Sequence, residues 1–222
     1  MLFERAGICD VLINVHAHSE RVLSRIARLN SRCSVRWTCS VEPKLLGSAG
    51  TLLANRAWLE ASEVFLVAYA DTVMELPIAD FLEAHRASGL PVTLALFKPE
   101  DPTTCGVVEL DGSRLVVSFE EKPLRPRSPW ANAGLCAFNR TLLDEICRPG
   151  AFDISHDVLP RLVGQMGGWC WEGYCRDIGT LEALAAAEAD GVTGLFRTWP
   201  PAVPLEADYH EVIEFSRRLT GR

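Results

Sequence analysis

Short apolar segments alternate with amphipathic segments along the first hundred residues, and this alternation most strongly limits the folds open to the chain. A short, continuous apolar run between turn signals is typical of a buried strand. Such runs occupy residues 10–15, 35–41, 64–70 and 91–97. The segments 20–29, 50–59 and 78–87 carry apolar residues at helical spacing. Strands that alternate with helices predict an α/β fold, with a mostly parallel sheet covered by helices on both faces.

The pattern changes after residue 100. Alternating runs at 107–110 and 115–119 flank Asp111-Gly112-Ser113, which predicts a β-hairpin. A further strand is predicted at 133–138, and helices are predicted at 142–147 and 157–165. The less regular tail contains prolines and predicts a helix near 209–219. We therefore assign one domain to residues 1–195 and a C-terminal tail with a helix to residues 196–222.

Charge, apolar run length and cysteine spacing disfavour several kinds of partner and site. The formal net charge of −7 and the lack of a Lys/Arg cluster disfavour nucleic-acid binding. No apolar run is long enough to span a bilayer, so no membrane partner is expected. The first residues do not resemble a signal peptide, and the eight cysteines form no C-x-x-C pair. These features predict free thiols in a cytoplasmic protein and disfavour zinc.

Two aspartates stand where an α/β fold can bind a ligand. Asp71 ends the apolar run 64–70, and a carboxylate at the exit of a buried strand borders the ligand crevice in such folds. Asp177 lies between an aromatic segment and the start of a predicted helix. It can cap that helix, or it can share a divalent cation with a second carboxylate. Asp71 and Asp177 are therefore a candidate metal site.

Three further motifs are weak alone but follow one another in a definite order. Leu-Gly-Ser-Ala-Gly at 46–50 precedes a helix, whose N-terminus favours a phosphate or a polar base edge. Glu121 and Lys122 follow a strand, where they can contact a sugar hydroxyl and a phosphate together. Asn132 opens the next strand in Asn-Ala-Gly.

The order of these motifs resembles that of the sugar-phosphate nucleotidyltransferases, the family of mannose-1-phosphate guanylyltransferases and glucose-1-phosphate thymidylyltransferases. The series is Leu-Gly-Ser-Ala-Gly, the strand ending in Asp71, Gly-Val-Val-Glu, Glu-Lys-Pro, Asn-Ala-Gly and Asp-Ile-Gly-Thr. The resemblance implies a Rossmann-like mixed sheet of the nucleotide-diphospho-sugar transferase type. It also implies transfer of a nucleotidyl group from an NTP to a sugar 1-phosphate, with a nucleotide sugar and pyrophosphate as products.

The resemblance further implies a role for each motif residue. Asp71 and Asp177 would hold Mg²⁺, Lys122 would contact the sugar phosphate, and these three would be the catalytic residues. Glu121 would bind the sugar hydroxyls. The sugar pocket would be lined by Gly106 and Asn132, and the nucleobase would be bordered by Gly47, Ser48, Ala49 and Gly50.

One departure from the family concerns the start of the sequence. Family members begin with a strand, a Gly-rich loop carrying Gly-Thr-Arg and a Pro-Lys pair, whereas Met1 here falls in the helix that follows. The resemblance therefore implies that the first strand is missing. Three explanations stay open: a start codon placed too late, a catalytically impaired sugar-phosphate-binding or regulatory paralogue, or a partner subunit that supplies the segment. Unpaired strand edges beside the gap would favour a homo-oligomer.

Other interpretations rest on single motifs. His-Ala-His at 16–18 can bind metal in amidohydrolases, although a turn between strand and helix is favoured here. The Ser-His-Asp segment at 155–157 is not expected to form a triad, because sequence neighbours cannot easily face one another. A glycosyltransferase would need Asp-x-Asp, which the sequence after Asp71 lacks. Trp-Cys-Trp at 169–171 is an aromatic ligand platform or, as we favour, a strand with alternating burial.

Overall fold

The structure, a computed structural model, describes residues 2–192. In this range the helices are α1 (Leu2–Arg5), α2 (Ser19–Asn30), α3 (Gly47–Ala54), α4 (Arg56–Leu59), α5 (Ile78–Ser88), α6 (Leu143–Ile146) and α7 (Leu181–Val192). The strands are β1 (Asp10–Val15), β2 (Arg36–Val41), β3 (Val64–Ala68), β4 (Thr72–Met74), β5 (Val92–Phe97), β6 (Gly106–Leu110), β7 (Val116–Glu121), β8 (Ala131–Asn139), β9 (Met166–Cys170) and β10 (Cys175–Asp177).

Six strands form one mixed sheet in which β8 is the central partner. β5 pairs antiparallel with one edge of β8, and β9 continues the sheet as the parallel partner of β5. β3 and β6 both pair antiparallel with the other edge of β8, and β7 follows β6. β3, β5 and β9 therefore run in the same direction. β1 and β2 form a separate parallel pair, and β4 and β10 form a short antiparallel pair.

β3 and β6 leave an opening along the edge of β8 that they share. β3 pairs with β8 from Leu135 to Asn139, whereas β6 pairs with β8 at Ala131. Residues 132–134 lie between these two partners. Past the end of β3, Tyr69 N still donates to Gly134 O at 2.9 Å. The end of β3 and the start of β6 therefore leave an opening along this edge of β8, which is the candidate ligand crevice.

Apolar side chains cover both faces of this sheet. Along β5, Leu94 and Leu96 face one layer together with Phe138 of β8, because side chains alternate along a strand. Ala95 faces the opposite layer together with Ala137. The first layer is closed by α3, α4 and α6, and the second by α5 and α1. The predicted α/β class, with helices on both faces of a mixed sheet, is confirmed.

The prediction of a helix at 157–165 is wrong. A π turn (Ile154–Val158) and a 3₁₀ turn (Leu159–Leu162) occupy most of that segment, and β9 follows. Pro160 lacks a backbone N–H and clashes with a preceding carbonyl, so a regular helix cannot run through it.

The helix predicted at 50–59 is interrupted. It begins earlier, at Gly47, and consists of α3 and α4, which meet at Asn55. The predicted tail helix lies outside the described residues. Among the helices of residues 2–192, none combines the length and the apolar character needed to cross a membrane.

A buried histidine joins α5 to the sheet. His85 lies on the apolar face of α5 and is 2% exposed. Its Nε2 lies 3.0 Å from Asn139 Oδ1, and its Nδ1 lies 2.8 Å from Thr93 Oγ1. The amide oxygen only accepts, so Nε2 carries the proton and Nδ1 accepts from the threonine hydroxyl. Burial lowers the pKa of His85, which favours the neutral ring in the folded protein.

We predict that His85→Gln reduces the acid sensitivity of the fold. Because the pKa of His85 is lower in the folded than in the unfolded state, stability is lost as the pH falls below the unfolded value of 6.5. The free energy of unfolding of the wild type should therefore decrease between about pH 7.5 and about pH 5, and this slope should be smaller in His85→Gln. Urea unfolding at several pH values measures the slope. His16→Gln, at an exposed histidine, is the control, and equal slopes in all three proteins would contradict the prediction.

Candidate active site

Asp71 and Asp177 converge on one glycine. Asp71 directly precedes β4, and Asp177 is the last residue of β10, the partner of β4. Ile178 N donates to Asp71 O at 2.7 Å, and Gly179 N donates to Asp177 Oδ1 at 2.7 Å. A side-chain carbon built on Gly179 would lie 3.1 Å from Asp177 Oδ1 and 3.6 Å from Asp71 Oδ2. The pairing of β4 with β10 thus brings the two carboxylates together.

The oxygen donors of this carboxylate pair fit a hard divalent cation. Both aspartates are exposed, and neither forms an ion pair within the described chain. Residues 2–192 offer no group of three or more His, Cys, Asp or Glu that could hold a metal. Mg²⁺ is commonly bound through one or two carboxylates, with water and substrate phosphates completing its shell. Asp71 and Asp177 could therefore hold Mg²⁺ together with phosphate oxygens of a ligand.

A polar cluster fixes the strand that carries Asp177. Arg176 Nε donates to Asp190 Oδ2 of α7 at 2.9 Å and to Tyr174 Oη at 3.1 Å. Tyr174 Oη donates to the same Asp190 oxygen at 2.8 Å. These bonds tie α7 to β10. The Asp-Ile-Gly-Thr turn between the two elements is therefore held at both ends.

Gly106 and Glu121 face each other on paired strands at the β6 side of the opening. Gly106 begins β6, Glu121 ends β7, and the two are register partners. A side-chain carbon on Gly106 would lie 2.7 Å from Glu121 Oε2 and 2.8 Å from the ring of Phe119. The Glu121 carboxylate can therefore occupy this position only because residue 106 has no side chain.

Lys122 has an unusual backbone conformation. Its φ is 49°, in the left-handed region that a lysine rarely adopts, and its N donates to Cys105 O at 2.9 Å. Such conformations cost free energy and are concentrated at functional sites. β7 ends at Glu121, so the chain leaves the strand at Lys122, whose side chain is exposed.

The Glu121 carboxylate is partly withdrawn from water. Burial raises the pKa of Glu121, while the charges of Lys122 and His156 lower it and that of Asp153 raises it. The carboxylate thus lies within the field of both cationic and anionic neighbours. A cleft carboxyl with a raised pKa is typical of functional sites.

Asn132 lies in the opening between β3 and β6. Its Oδ1 accepts from Gly134 N at 3.1 Å. Gly134 has a φ of 77°, and a side-chain carbon on it would lie 3.1 Å from the ring of Tyr69. Glycine adopts this conformation without strain and leaves room for the ring. Asn132, Gly134 and Tyr69 therefore line the opening.

Tyr69 and Ser155 also face each other here, and sequence reasoning missed both. Tyr69 Oη and Ser155 Oγ lie 3.0 Å apart. Burial raises the pKa of Tyr69, and the bond to Ser155 partly offsets this. Within its apolar run Tyr69 resembles an ordinary core residue. Its position two residues before Asp71 is the one sequence signal that places it near the candidate site. Only the fold brings Ser155 to it.

Residues 47–50 form the first turn of α3 and not the loop expected before a helix. Gly47 has a φ of 77°, and a side-chain carbon there would lie 2.3 Å from Phe152 O, so only glycine fits. Ala49 N donates to Phe152 O at 3.0 Å. The buried Glu42 carboxylate accepts from the backbone before this turn and from a threonine within α3. The turn is thus held from both sides.

Three other sequence motifs have structural roles. His16 Nδ1 bonds a backbone carbonyl at 2.8 Å. Asp157 Oδ2 accepts from two backbone N–H groups, each at 2.8 Å, so the segment 155–157 forms no triad. Trp169 lies in β9 with its ring edge against Phe81, at 5.6 Å between ring centroids, which supports the strand interpretation.

Comparison with known proteins identifies relatives of the chain. The profile of the nucleotidyl transferase family matches residues 2–193. Mannose-1-phosphate guanyltransferase of Schizosaccharomyces pombe is 32% identical over 179 residues, which cover 78% of this chain and 49% of the relative. Mannose-1-phosphate guanyltransferase of Candida albicans is 28% identical over 211 residues, which cover 92% of this chain and 58% of the relative. The chain thus spans about half the length of these curated relatives.

Solved structures share the fold. HddC from Yersinia pseudotuberculosis aligns with a TM-score of 0.72 over 86% of this chain and 82% of HddC, at 19% identity. HddC complexed with GMP-PN aligns over the same shares with a TM-score of 0.71. At this identity the likeness shows the fold alone, and it agrees with the expected Rossmann-like type.

We predict that Gly106→Ala destabilises the protein by about 1–3 kcal/mol, because the new methyl group would collide with the Glu121 carboxylate and the Phe119 ring. Urea unfolding measures the loss. Gly112→Ala is the matched control, since its added carbon would meet nothing within 4 Å. Equal stability of the two variants would show that Glu121 does not sit against Gly106.

Proposed function

This chain belongs to the nucleotidyl transferase family, and from that premise we propose that it transfers a nucleotidyl group from an NTP to a sugar 1-phosphate. The products are a nucleotide sugar and pyrophosphate. The observation that carries the proposal is the convergence of Asp71 and Asp177 near Gly179. Among residues 2–192 neither carboxylate has an ion-pair partner, so the pair can hold a cation that neutralises the charge of two phosphate-bearing substrates.

The sugar 1-phosphate is assigned to the opening between β3 and β6. Glu121 and Asn132 offer hydrogen-bond groups for sugar hydroxyls, and Gly106 leaves the room that Glu121 occupies. Lys122 is exposed directly beside Glu121, so its ammonium group can neutralise the phosphate of the same ligand. The nucleobase is assigned to residues 47–50, on the basis of the motif order that the chain shares with the family.

The reaction needs positioning and charge neutralisation more than covalent help from the protein. A phosphate oxygen of the sugar 1-phosphate attacks the α-phosphorus of the NTP, and the bond from this phosphorus to the pyrophosphate oxygen breaks. Asp71 and Asp177 would hold Mg²⁺, which when bound supplies positive charge to the phosphate oxygens. Lys122 offsets the negative charge of the attacking phosphate. No protein nucleophile takes part.

GTP and mannose 1-phosphate are the first substrate pair to test. Both curated relatives described above are named mannose-1-phosphate guanyltransferase. We propose this pair for the present chain on that basis.

We predict that the chain releases pyrophosphate from GTP and mannose 1-phosphate only when Mg²⁺ is present. Asp71→Asn and Asp177→Asn should each lower the rate at least about a hundredfold, because each removes charge from a preorganised electrostatic site. Each should also raise the Mg²⁺ concentration needed for half-maximal rate. Asp80→Asn, at an exposed residue of α5, is the control. Full activity of both site variants would overturn the metal assignment. Absence of pyrophosphate release by the wild type would overturn the proposed substrate pair, and its absence with every pair of NTP and sugar 1-phosphate would overturn the proposed function.

We predict that Lys122→Ala weakens mannose 1-phosphate binding about tenfold or more, because a hydrogen bond to a charged group is worth about 1.5–3 kcal/mol. Alanine and lysine both carry a β-carbon, so the change adds no backbone strain at φ 49°. Isothermal titration calorimetry measures the affinity. Lys44→Ala, at an exposed residue before α3, should bind like the wild type. Unchanged affinity in Lys122→Ala would remove Lys122 from the phosphate site.

A further inference from the structure

Residues 47–50, the proposed nucleobase side of the site, are bonded directly to residues 152–154, where the π turn begins. Ser48 Oγ donates to Asp153 Oδ2 at 2.9 Å and accepts from Ile154 N at 2.8 Å. Ala49 N donates to Phe152 O at 3.0 Å. We call the group formed by Ser48, Asp153 and Ile154 the Ser48 bridge. The Ser48 hydroxyl donates one hydrogen bond and accepts another, so two contacts hold Ser48 to residues 153 and 154.

Asp153 connects the Ser48 bridge to the π turn. Its second oxygen, Oδ1, accepts from His156 N at 3.0 Å and caps the turn. Ser155, one residue before His156, is buried and bonds the Tyr69 hydroxyl at 3.0 Å. One carboxylate therefore joins residues 47–50 to the turn that reaches Tyr69.

Tyr69 extends this connection to Asn132, on the proposed sugar side of the site. Its ring packs against Gly134, whose N donates to Asn132 Oδ1. Burial raises the pKa of Tyr69 and of Glu121, and the charge of Asp153 adds to both increases, so this carboxylate acts on both side chains of the proposed sugar pocket. A continuous series of contacts thus runs from Ser48 through Asp153 and Tyr69 to Asn132.

We propose that Asp153 is a positioning residue, which through the Ser48 bridge couples occupancy of the nucleobase side to the affinity of the sugar side. This inference rests on the proposed function. A ligand against residues 47–50 restrains Ser48, and the bridge then restrains Asp153 and the turn that carries Ser155. The second ligand meets a site already ordered and binds more tightly. The effect is reciprocal, because a coupling free energy acts equally on both ligands.

The test is a binding cycle on the full chain. Isothermal titration calorimetry gives the Kd of mannose 1-phosphate in Mg²⁺ buffer, with and without a saturating α,β-methylene analogue of GTP, which cannot react. The ratio of the two Kd values is the coupling factor. We expect about fivefold or more in the wild type and a factor near one in Ser48→Ala.

Two further variants separate coupling from a local effect on either ligand. Ser48→Thr keeps a hydroxyl and should restore the coupling factor. Asp153→Ser keeps a capping oxygen for His156 N but shortens the side chain away from Ser48, so it should lose coupling. The double variant Ser48→Ala/Asp153→Ser should lose no more than either single variant, because both remove the same contact. If Ser48→Ala does not fold, the comparison of Ser48→Thr with Asp153→Ser decides.

The outcomes distinguish the two proposals. If both ligands bind but the wild type shows no coupling, or Ser48→Ala keeps it, the coupling inference is overturned and the proposed function stands. Loss of affinity for the GTP analogue alone, with the coupling factor intact, would likewise show that Ser48 acts only on its own side. If neither ligand binds the wild type, the proposed function falls, and the coupling inference with it.

Discussion

The shared edge of β8 is the constraint on which the rest of the structure depends. A strand has two edges, and β5 fills one of them along most of β8. β3 and β6 must then divide the other edge, and the division leaves Asn132-Ala133-Gly134 without a strand partner on that side. The residues that follow β3, up to Asp71, lie on one side of this interruption, and Gly106, the first residue of β6, lies on the other. The polar groups of the candidate site gather there because the sheet divides there.

The fold class followed from the sequence because its cause is local. Buried strands are apolar on both faces, and the run 64–70 predicts β3 and places Asp71 at its exit. β4 and β10 were not predicted, since three residues give too short a pattern. Yet their pairing is what brings Asp177 to Asp71. The contacts of Ser48 with Asp153 and of Tyr69 with Ser155 join residues distant in sequence, and neither composition nor spacing indicates them.

Backbone conformation, and not only side-chain chemistry, determines the shape of the site. Gly47 and Gly134 adopt positive φ values where Phe152 and Tyr69 leave no room for a side chain. Lys122, the residue directly after β7, adopts a positive φ without being glycine. A glycine in a sequence is visible, but the neighbour that excludes its side chain is not. For this reason the motif residues could be named from the sequence, whereas their contacts had to come from the fold.

The separation of β1 and β2 from the larger sheet has a consequence for cooperativity. Within residues 2–192 this pair shares no ladder hydrogen bonds with the six-stranded sheet, and of the residues of β1 and β2 only Val15 is buried. The β1–α2–β2 unit can therefore open without breaking the ladder centred on β8. Native-state hydrogen exchange would then divide the chain into two populations of amides, with those of β1 and β2 exchanging through a sub-global opening and those of β5 and β8 only through global unfolding.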